Sequence, residues 1–124
     1  MEILDLNHVA LHVQDVAASC RFYEDVLNLP PMARPAFTFP GAWFRIGPVQ
    51  QLHLIGERTN PVVAEPRGNH FAVRVKSIRA AEADLKAKQV TFAGPKQRPD
   101  GMWQIFVRDP DGHVVELTEL PDLD

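Results

Sequence analysis

The sequence has very little cysteine, which restricts the kind of protein it can encode. Cys20 is the only cysteine among 124 residues, so no disulfide can form within the chain. Small secreted domains commonly need disulfides to supplement a limited hydrophobic core, whereas thiols stay reduced in the cytosol. We therefore expect a cytoplasmic protein that is stabilised by core packing rather than by covalent cross-links.

Long apolar runs and an excess of basic residues are also absent. No apolar stretch approaches the roughly 18 residues that a membrane span requires. The first residues, MEILDLNHVA, carry acidic rather than basic side chains, unlike a secretory signal peptide. With 13 Lys and Arg against 16 Asp and Glu, the net charge is −3, which does not indicate a nucleic-acid-binding surface. We expect neither a membrane nor a nucleic acid as partner.

The sequence does contain a repeated order of predicted elements. Alternating apolar residues predict a strand over residues 4–13 and another over residues 69–75. Each strand is followed by a helical pattern, for which Asp15 and Ser77 are the predicted N-caps. Each helix is followed by three short β-like runs separated by turn residues, around residues 33–39, 42–46 and 50–55 in the first half and 90–93, 102–108 and 113–119 in the second. The sequence therefore predicts an α+β fold built from two β-α-β-β-β modules.

Chemically distinctive residues recur at a spacing close to half the chain length. Pairs separated by 62, 63 and 60 positions are, respectively, His8 and His70, His53 and Glu116, and Trp43 and Trp103. This spacing fits modules of about residues 1–60 and 66–124 within a single domain, residues 1–124. Because a module of about 60 residues buries little surface alone, we expect the two to complete one another, within the chain or across a dimer.

Four of the predicted strands separate aliphatic from polar side chains. Successive side chains of a strand point to opposite faces of the sheet, and the aliphatic residues share one face. The other face carries three imidazoles and one carboxylate, from His8, His53, His70 and Glu116. Taken singly, such side chains are more often structural, but together they suit a divalent ion such as Zn, Ni, Co, Fe or Mn. The pattern predicts one metal ion, with positions open to water or a chelating substrate.

Four further residues are candidates for contact with a small-molecule substrate. His12 and Arg74 have the same parity in their strands as the predicted ligands, so they are expected to face the same side. Arg74 has the fork geometry that binds carboxylate or phosphate groups, although it is equally consistent with a solvent-exposed side chain. Trp43 and Trp103 are expected to wall a pocket, although large aromatic residues as often fill a core.

Motifs spread over nearly the whole chain resemble the vicinal oxygen chelate superfamily, which includes glyoxalase I, extradiol dioxygenases, fosfomycin-modifying thiol transferases and bleomycin-binding proteins. The motifs are LNHVALHVQD, FYEDVLNL, GAWFRIG, QLHLI, NHFAVRV and DPDGHVVELTEL. The resemblance implies a curved mixed sheet that encloses a metal held by His8, His53, His70 and Glu116. It also implies a homodimer with composite sites at the subunit interface.

The resemblance implies a metal-dependent enzyme and leaves several reactions open. A glyoxalase-I-like lyase or isomerase would use Glu116 as a metal ligand and a catalytic proton carrier, although bacterial glyoxalase I of the familiar type has Glu where this chain has His53. The alternative is an extradiol-type Fe(II) dioxygenase with His8, His70 and Glu116 as ligands. A fosfomycin-type thiol transferase ranks lower, because Ala10 stands where those enzymes have Thr. A non-catalytic bleomycin-type binding protein also ranks lower, because such proteins have typically lost the metal ligands that are kept here.

Overall fold

The computed structural model describes residues 1–120, so residues 121–124 of the second predicted module lie outside the described part. The chain divides into two compact units, Met1–Pro61 and Val62–Asp124. In each unit a strand is followed by a helix and then by three further strands. The predicted α+β class and the β-α-β-β-β order of both modules are confirmed.

The first unit forms a four-stranded mixed sheet with one helical segment. In chain order its elements are β1 (His8–His12), α1 (Val16–Arg21), a π-helical turn (Phe22–Val26), β2 (Pro31–Met32), β3 (Gly41–Ile46) and β4 (Gln50–Ile55). The strand order is β1-β4-β3-β2, with β1 parallel to β4 and the other neighbours antiparallel. Asp15 is the N-cap of α1, because its carboxylate accepts a 3.1 Å hydrogen bond from the Ala18 amide.

The second unit repeats this arrangement with its own mixed sheet. Its elements are β5 (Phe71–Arg74), α2 (Ile78–Ala87), β6 (Phe92–Gln97), β7 (Trp103–Arg108) and β8 (Val114–Glu119). The strand order is β5-β8-β7-β6, and β5 runs parallel to β8. The Ser77 hydroxyl accepts a 3.1 Å hydrogen bond from the Ala80 amide, which confirms the second predicted N-cap. Within residues 1–120, no helix is long and apolar enough to cross a bilayer.

Several predicted strands differ from those in the structure, including the run expected at residues 90–93, which is β6 over Phe92–Gln97. The first strand begins only at His8, and the preceding residues are exposed. The strand expected over residues 33–39 is wrong, because the strand in this part of the chain consists of Pro31–Met32 alone. Proline has no amide hydrogen for a strand ladder, and Pro35 interrupts the predicted run. The segment between β2 and β3 is therefore irregular.

In each unit the aliphatic face of the sheet forms the core. Leu52 and Leu54 of β4 are fully buried, as are Val115 and, nearly so, Leu117 of β8. The α1 helix packs against β3 and β4, and α2 packs against β6, β7 and β8. Each helix therefore lies on the aliphatic face of its own sheet, so the residues predicted to bind metal lie on the opposite face.

Candidate functional site

The second unit brings His70 and Glu116 into direct contact. His70 immediately precedes β5, and Glu116 lies in β8, the parallel neighbour of β5. The Nε2 atom of His70 is 3.2 Å from Oε1 of Glu116, and the Nδ1 atom is 3.2 Å from the Gly68 carbonyl oxygen. The Phe106 ring meets the His70 ring edge to face, with 5.9 Å between the centroids. The two predicted ligands of this unit are therefore neighbours.

Both ring nitrogens of His70 face oxygen atoms, which has a consequence for charge. A carbonyl and an ionised carboxylate only accept hydrogen bonds, whereas a neutral imidazole donates only one. Both contacts are satisfied only if the pair takes up an additional proton or if a cation binds between Nε2 and the carboxylate. Glu116 is 5% exposed, and a buried carboxylate needs a positive partner.

The spacing of this pair suits a shared metal ion. Two donor atoms that each lie about 2.1 Å from one ion, at roughly a right angle, are about 3 Å apart. The observed separation of Nε2 in His70 and Oε1 in Glu116 is 3.2 Å. The donor set, an imidazole nitrogen and a carboxylate oxygen, also suits borderline divalent ions.

The first unit brings His8 and His53 together on its own parallel strand pair, β1 and β4, as the second unit does with His70 and Glu116. In the ladder between β1 and β4, His8 is opposite Gln51 and Ala10 is opposite His53, so the two histidines share a face. Their rings stack with 4.1 Å between centroids and an angle of 16°. Trp43 of β3 is directly opposite His53, and the two rings stack with 3.9 Å between their centroids and an angle of 2° between their planes. The His53 ring is thus held between two flat rings.

Hydrogen bonds to neighbouring side chains orient the imidazoles of this unit. The Nδ1 atom of His8 lies 2.8 Å from Oδ1 of Asn7, and the Nε2 atom of His53 lies 2.8 Å from Oε1 of Gln51. Because an amide oxygen accepts, the facing ring nitrogen donates, and the other ring nitrogen keeps its lone pair for a metal. Burial lowers the pKa of His53, and the charges of His8 and Arg34 lower it further, which favours the neutral ring that metals bind.

Two other candidates lie on the expected faces. The Nε2 atom of His12 donates to the Gly56 carbonyl at 2.8 Å, so this ring connects β1 to the segment after β4. Arg74 is opposite Thr118 in the ladder with β8, and Thr118 shares a face with Glu116. Arg74 is exposed on that face, which is consistent with both interpretations of this residue, a substrate contact and a side chain in solvent.

Trp103 is not the structural counterpart of Trp43, so this part of the predicted repeat is wrong. Trp43 is opposite His53, and the residue opposite Glu116 in β7 is Phe106. Trp103 is three positions from Phe106 and therefore lies on the other face of β7. The spacing of 63 residues that relates His53 to Glu116 also relates Trp43 to Phe106, and this is the signal that could have identified Phe106.

Trp103 instead lies on the helix side of the second sheet. The guanidinium carbon of Arg79, in α2, is 5.1 Å from the Trp103 ring centroid. Ile105 and Val107, which share its face of β7, are buried in the core. Trp103 is therefore separated by the sheet from the face that carries Glu116, contrary to its predicted contact with substrate.

The irregular segment before β3 forms a cluster that the sequence patterns did not reveal. We call the side chains of Arg34, Phe37, Phe39 and Trp43 the Arg34 cluster. The rings of Phe37 and Phe39 stack at 5.1 Å, and Phe37 lies 6.2 Å from Trp43. A strand over residues 33–39 would have placed Arg34 on the opposite face from Phe37 and Phe39. The signal available in the sequence is an arginine close to two phenylalanines within a proline-bounded segment.

The arrangement of possible ligands is thus one pair in each unit. His8 and His53 form the pair of the first unit, and His70 and Glu116 form that of the second. Within residues 1–120, no group of three or more His, Cys, Asp or Glu side chains is placed to hold a metal ion. Each pair taken alone offers donors that suit a divalent ion.

Comparison with known proteins identifies the family of this chain and solved structures with a similar fold. The model of the Glyoxalase/Bleomycin resistance protein/Dioxygenase superfamily matches residues 5–117. Glyoxylase I 4 of Arabidopsis thaliana is 27% identical over 131 residues, which cover 99% of this chain and 75% of the relative. A solved structure from Bacillus anthracis aligns with a TM-score of 0.84 at 24% identity over 98% of both chains. A glyoxalase/dioxygenase from Nostoc punctiforme aligns with a TM-score of 0.78 at 26% identity, over 95% of this chain and 92% of that one.

Proposed function

Because the chain belongs to the Glyoxalase/Bleomycin resistance protein/Dioxygenase superfamily, we propose that it is a divalent-metal-dependent enzyme of the glyoxalase I type. It would act as a lyase or isomerase on a small substrate with two adjacent oxygen atoms. The observation that carries this proposal is the 3.2 Å contact between Nε2 of His70 and Oε1 of the buried Glu116 carboxylate. The similarity to Glyoxylase I 4 over 99% of the chain supports the same class of reaction.

The proposed metal ligands are His8, His53, His70 and Glu116. Their nitrogen and oxygen donors suit Zn, Ni, Co, Fe or Mn. A bound ion would act as a Lewis acid toward the two substrate oxygens. Because each unit supplies one pair of ligands, we propose a homodimer with its sites at the subunit interface, as the resemblance to the superfamily implies.

The protein's own side chains have separate roles in this proposal. Glu116 would accept the proton of a substrate carbon next to a carbonyl group, because a carboxylate in a buried position is a competent general base. His70 holds Oε1 of this carboxylate in place and, through Nδ1, is itself oriented by the Gly68 carbonyl. Phe106 lies opposite Glu116 in the ladder and would shield that side of the carboxylate from water. His12 and Arg74 would contact substrate.

Metal titration tests the proposal directly. After removal of metals with EDTA, we expect the protein to bind about one ion per chain when loaded with Ni, Co, Zn, Mn or Fe. His70→Ala should weaken this affinity at least about 100-fold, because it removes a ligand rather than a residue that supports one. The matched control is His113→Asn, which changes a histidine outside the proposed ligand set. Binding of no ion by the parent, or equal affinities in the parent and His70→Ala, would refute the metal site.

Activity on a hemithioacetal tests the reaction class. The parent protein loaded with metal is expected to isomerise the adduct of methylglyoxal and glutathione, and Glu116→Gln is expected to lose this activity because an amide cannot accept the proton. Activity that survives in Glu116→Gln would refute the role of Glu116. Metal binding without turnover in the parent would refute this substrate and leave the metal site standing.

A dioxygenase is the second candidate, and one feature of the first unit favours it. The His53 ring is stacked on both of its faces, between His8 and Trp43. If this ring does not bind metal, His8, His70 and Glu116 remain as a ligand set of two histidines and one carboxylate, which suits Fe(II). Oxygen uptake with catechol by the Fe(II)-loaded protein, retained in His53→Ala, would establish this alternative. No uptake would exclude catechol dioxygenation.

A further inference from the structure

Arg34 is a cation enclosed by aromatic rings. Its guanidinium carbon lies 4.9 Å from the Phe37 centroid and 4.8 Å from the Phe39 centroid. Its Nη2 atom donates a 2.9 Å hydrogen bond to the Phe39 carbonyl oxygen. Gly41 makes this position possible, since a Cβ atom there would be 2.9 Å from Nη2. The side chain is therefore held in a defined place rather than extended into solvent.

Arg34 has fewer acceptors than its donors require. A guanidinium offers several N–H groups in a rigid fork. The Nε atom is buried and has no hydrogen-bond partner in the described part of the chain. None of the ion pairs between residues 1 and 120 includes Arg34. Because Nε is enclosed by the protein, a ligand acceptor would meet the guanidinium through Nη1, which is not buried and makes no hydrogen bond within residues 1–120.

The unpaired cation belongs to the same face as the histidines of the first unit. The Phe37 ring lies 6.2 Å from Trp43, and Trp43 stacks on His53. The charge of Arg34 acts on His53, since it lowers the pKa of that imidazole together with burial and the charge of His8. A molecule bound at Arg34 would therefore extend toward the proposed metal ligands.

We propose that the Arg34 cluster binds the carboxylate of an organic substrate, with Phe37, Phe39 and Trp43 contacting the apolar body of that molecule. A planar carboxylate matches the guanidinium fork. The cluster contains one cation, which balances a carboxylate, whereas a phosphate dianion calls for more positive charge. Phe37 and Phe39 are 46% and 41% exposed, so their rings are accessible to a ligand. The role in substrate recognition rests on the proposed function, whereas carboxylate binding itself requires no metal.

Fluorescence of metal-free protein tests the carboxylate site independently of the metal site. In a Trp103→Phe background, Trp43 is the only tryptophan and reports on the cluster. With EDTA present, we expect benzoate to change this fluorescence in a saturable way. Benzamide has the same shape without the charge and should bind at least about tenfold more weakly, because a charge-assisted hydrogen bond is roughly twice as strong as a neutral one.

Substitutions of Arg34 identify the group that binds the probe. Arg34→Met should weaken benzoate binding at least about tenfold, and Arg34→Lys should retain part of it, since lysine keeps the charge but not the fork. Arg58→Met is the matched control, because Nε and Nη2 of Arg58 already donate to the Asn60 and Pro61 carbonyls. It should bind benzoate like the parent, and circular dichroism checks that each variant is folded.

The outcomes separate the carboxylate site from the metal-dependent function. Equal benzoate affinity in the parent and a folded Arg34 variant, no preference for benzoate over benzamide, or no saturable signal would each overturn the carboxylate site. The metal affinity of the same proteins is measured in parallel. A parent that binds benzoate and no metal would refute the proposed function alone, whereas one that binds metal and no benzoate would refute the carboxylate site alone.

Discussion

Glu116→Gln distinguishes a metal ligand from a structural ion pair, because the two roles predict opposite changes in stability. Glu116 is 5% exposed, and its Oε1 atom contacts Nε2 of His70 at 3.2 Å. Glutamine has the same shape and no charge, and its amide can donate to the lone pair of a neutral imidazole. The substitution therefore removes a buried charge while keeping a hydrogen bond between the two side chains.

The two roles predict different changes in the free energy of unfolding of Glu116→Gln. If Glu116 is a metal ligand, the metal-free variant should be as stable as the parent or more stable by about 1–3 kcal/mol, because a desolvated charge is removed. If Glu116 and a protonated His70 form a structural ion pair, breaking that pair should cost about 3–5 kcal/mol. For the metal-bound parent, an ion at about 100 times its Kd adds about 2.7 kcal/mol. In a domain of this size that is roughly 10 °C in Tm.

Thermal unfolding with and without metal measures both effects. We expect EDTA-treated Glu116→Gln to melt at or above the Tm of the EDTA-treated parent, and we expect metal to raise the Tm of the parent alone. Glu119→Gln is the matched control, because Oε2 of Glu119 accepts a hydrogen bond from the Ile78 amide at the start of α2. That control should lose stability equally with and without metal. A large loss of Tm in metal-free Glu116→Gln, or a metal-induced rise equal to that of the parent, would refute the assignment of Glu116 as a ligand.

The remaining predictions concern packing and reactivity. Gly41→Ala should lower the free energy of unfolding by more than about 2 kcal/mol, because the new Cβ would lie 2.3 Å from the Leu54 carbonyl oxygen; an unchanged urea midpoint would contradict this close approach. Phe44→Ala should cost about 3–5 kcal/mol in urea unfolding, since Phe44 is 1% exposed, and a cost below about 1 kcal/mol would show that the site is not packed as described. Burial, followed by the charge of Glu24, raises the pKa of the Cys20 thiol. Alkylation by iodoacetamide at pH 8, followed by mass spectrometry, should therefore be slower than that of free glutathione, and a rate equal to or above that of glutathione would disprove it.

The amino-acid sequence by itself determined the features that depend on neighbours along the chain. Alternation in the strands separated an aliphatic face from a polar face, because the side-chain period of a strand is two residues wherever the strand lies. Asp15 and Ser77 were identifiable as N-caps, because a cap acts on an amide three residues away. The α+β class and the repeated order of elements follow from the same local patterns.

Only the tertiary structure decided which residues face one another across strands. The 63-residue spacing relates Trp43 to Phe106, but a single strand does not reveal its register, and only the ladders show that Trp43 is opposite His53 and Phe106 is opposite Glu116. The irregular segment that carries Arg34 has no period from which a side-chain position can be read. The Nε atom of Arg34 is buried without a hydrogen-bond partner because folding brings the Phe37 and Phe39 rings against the guanidinium. These contacts arise from an irregular backbone that folds Arg34 onto nearby aromatic rings, and the periodicity of helices and strands does not encode such a conformation.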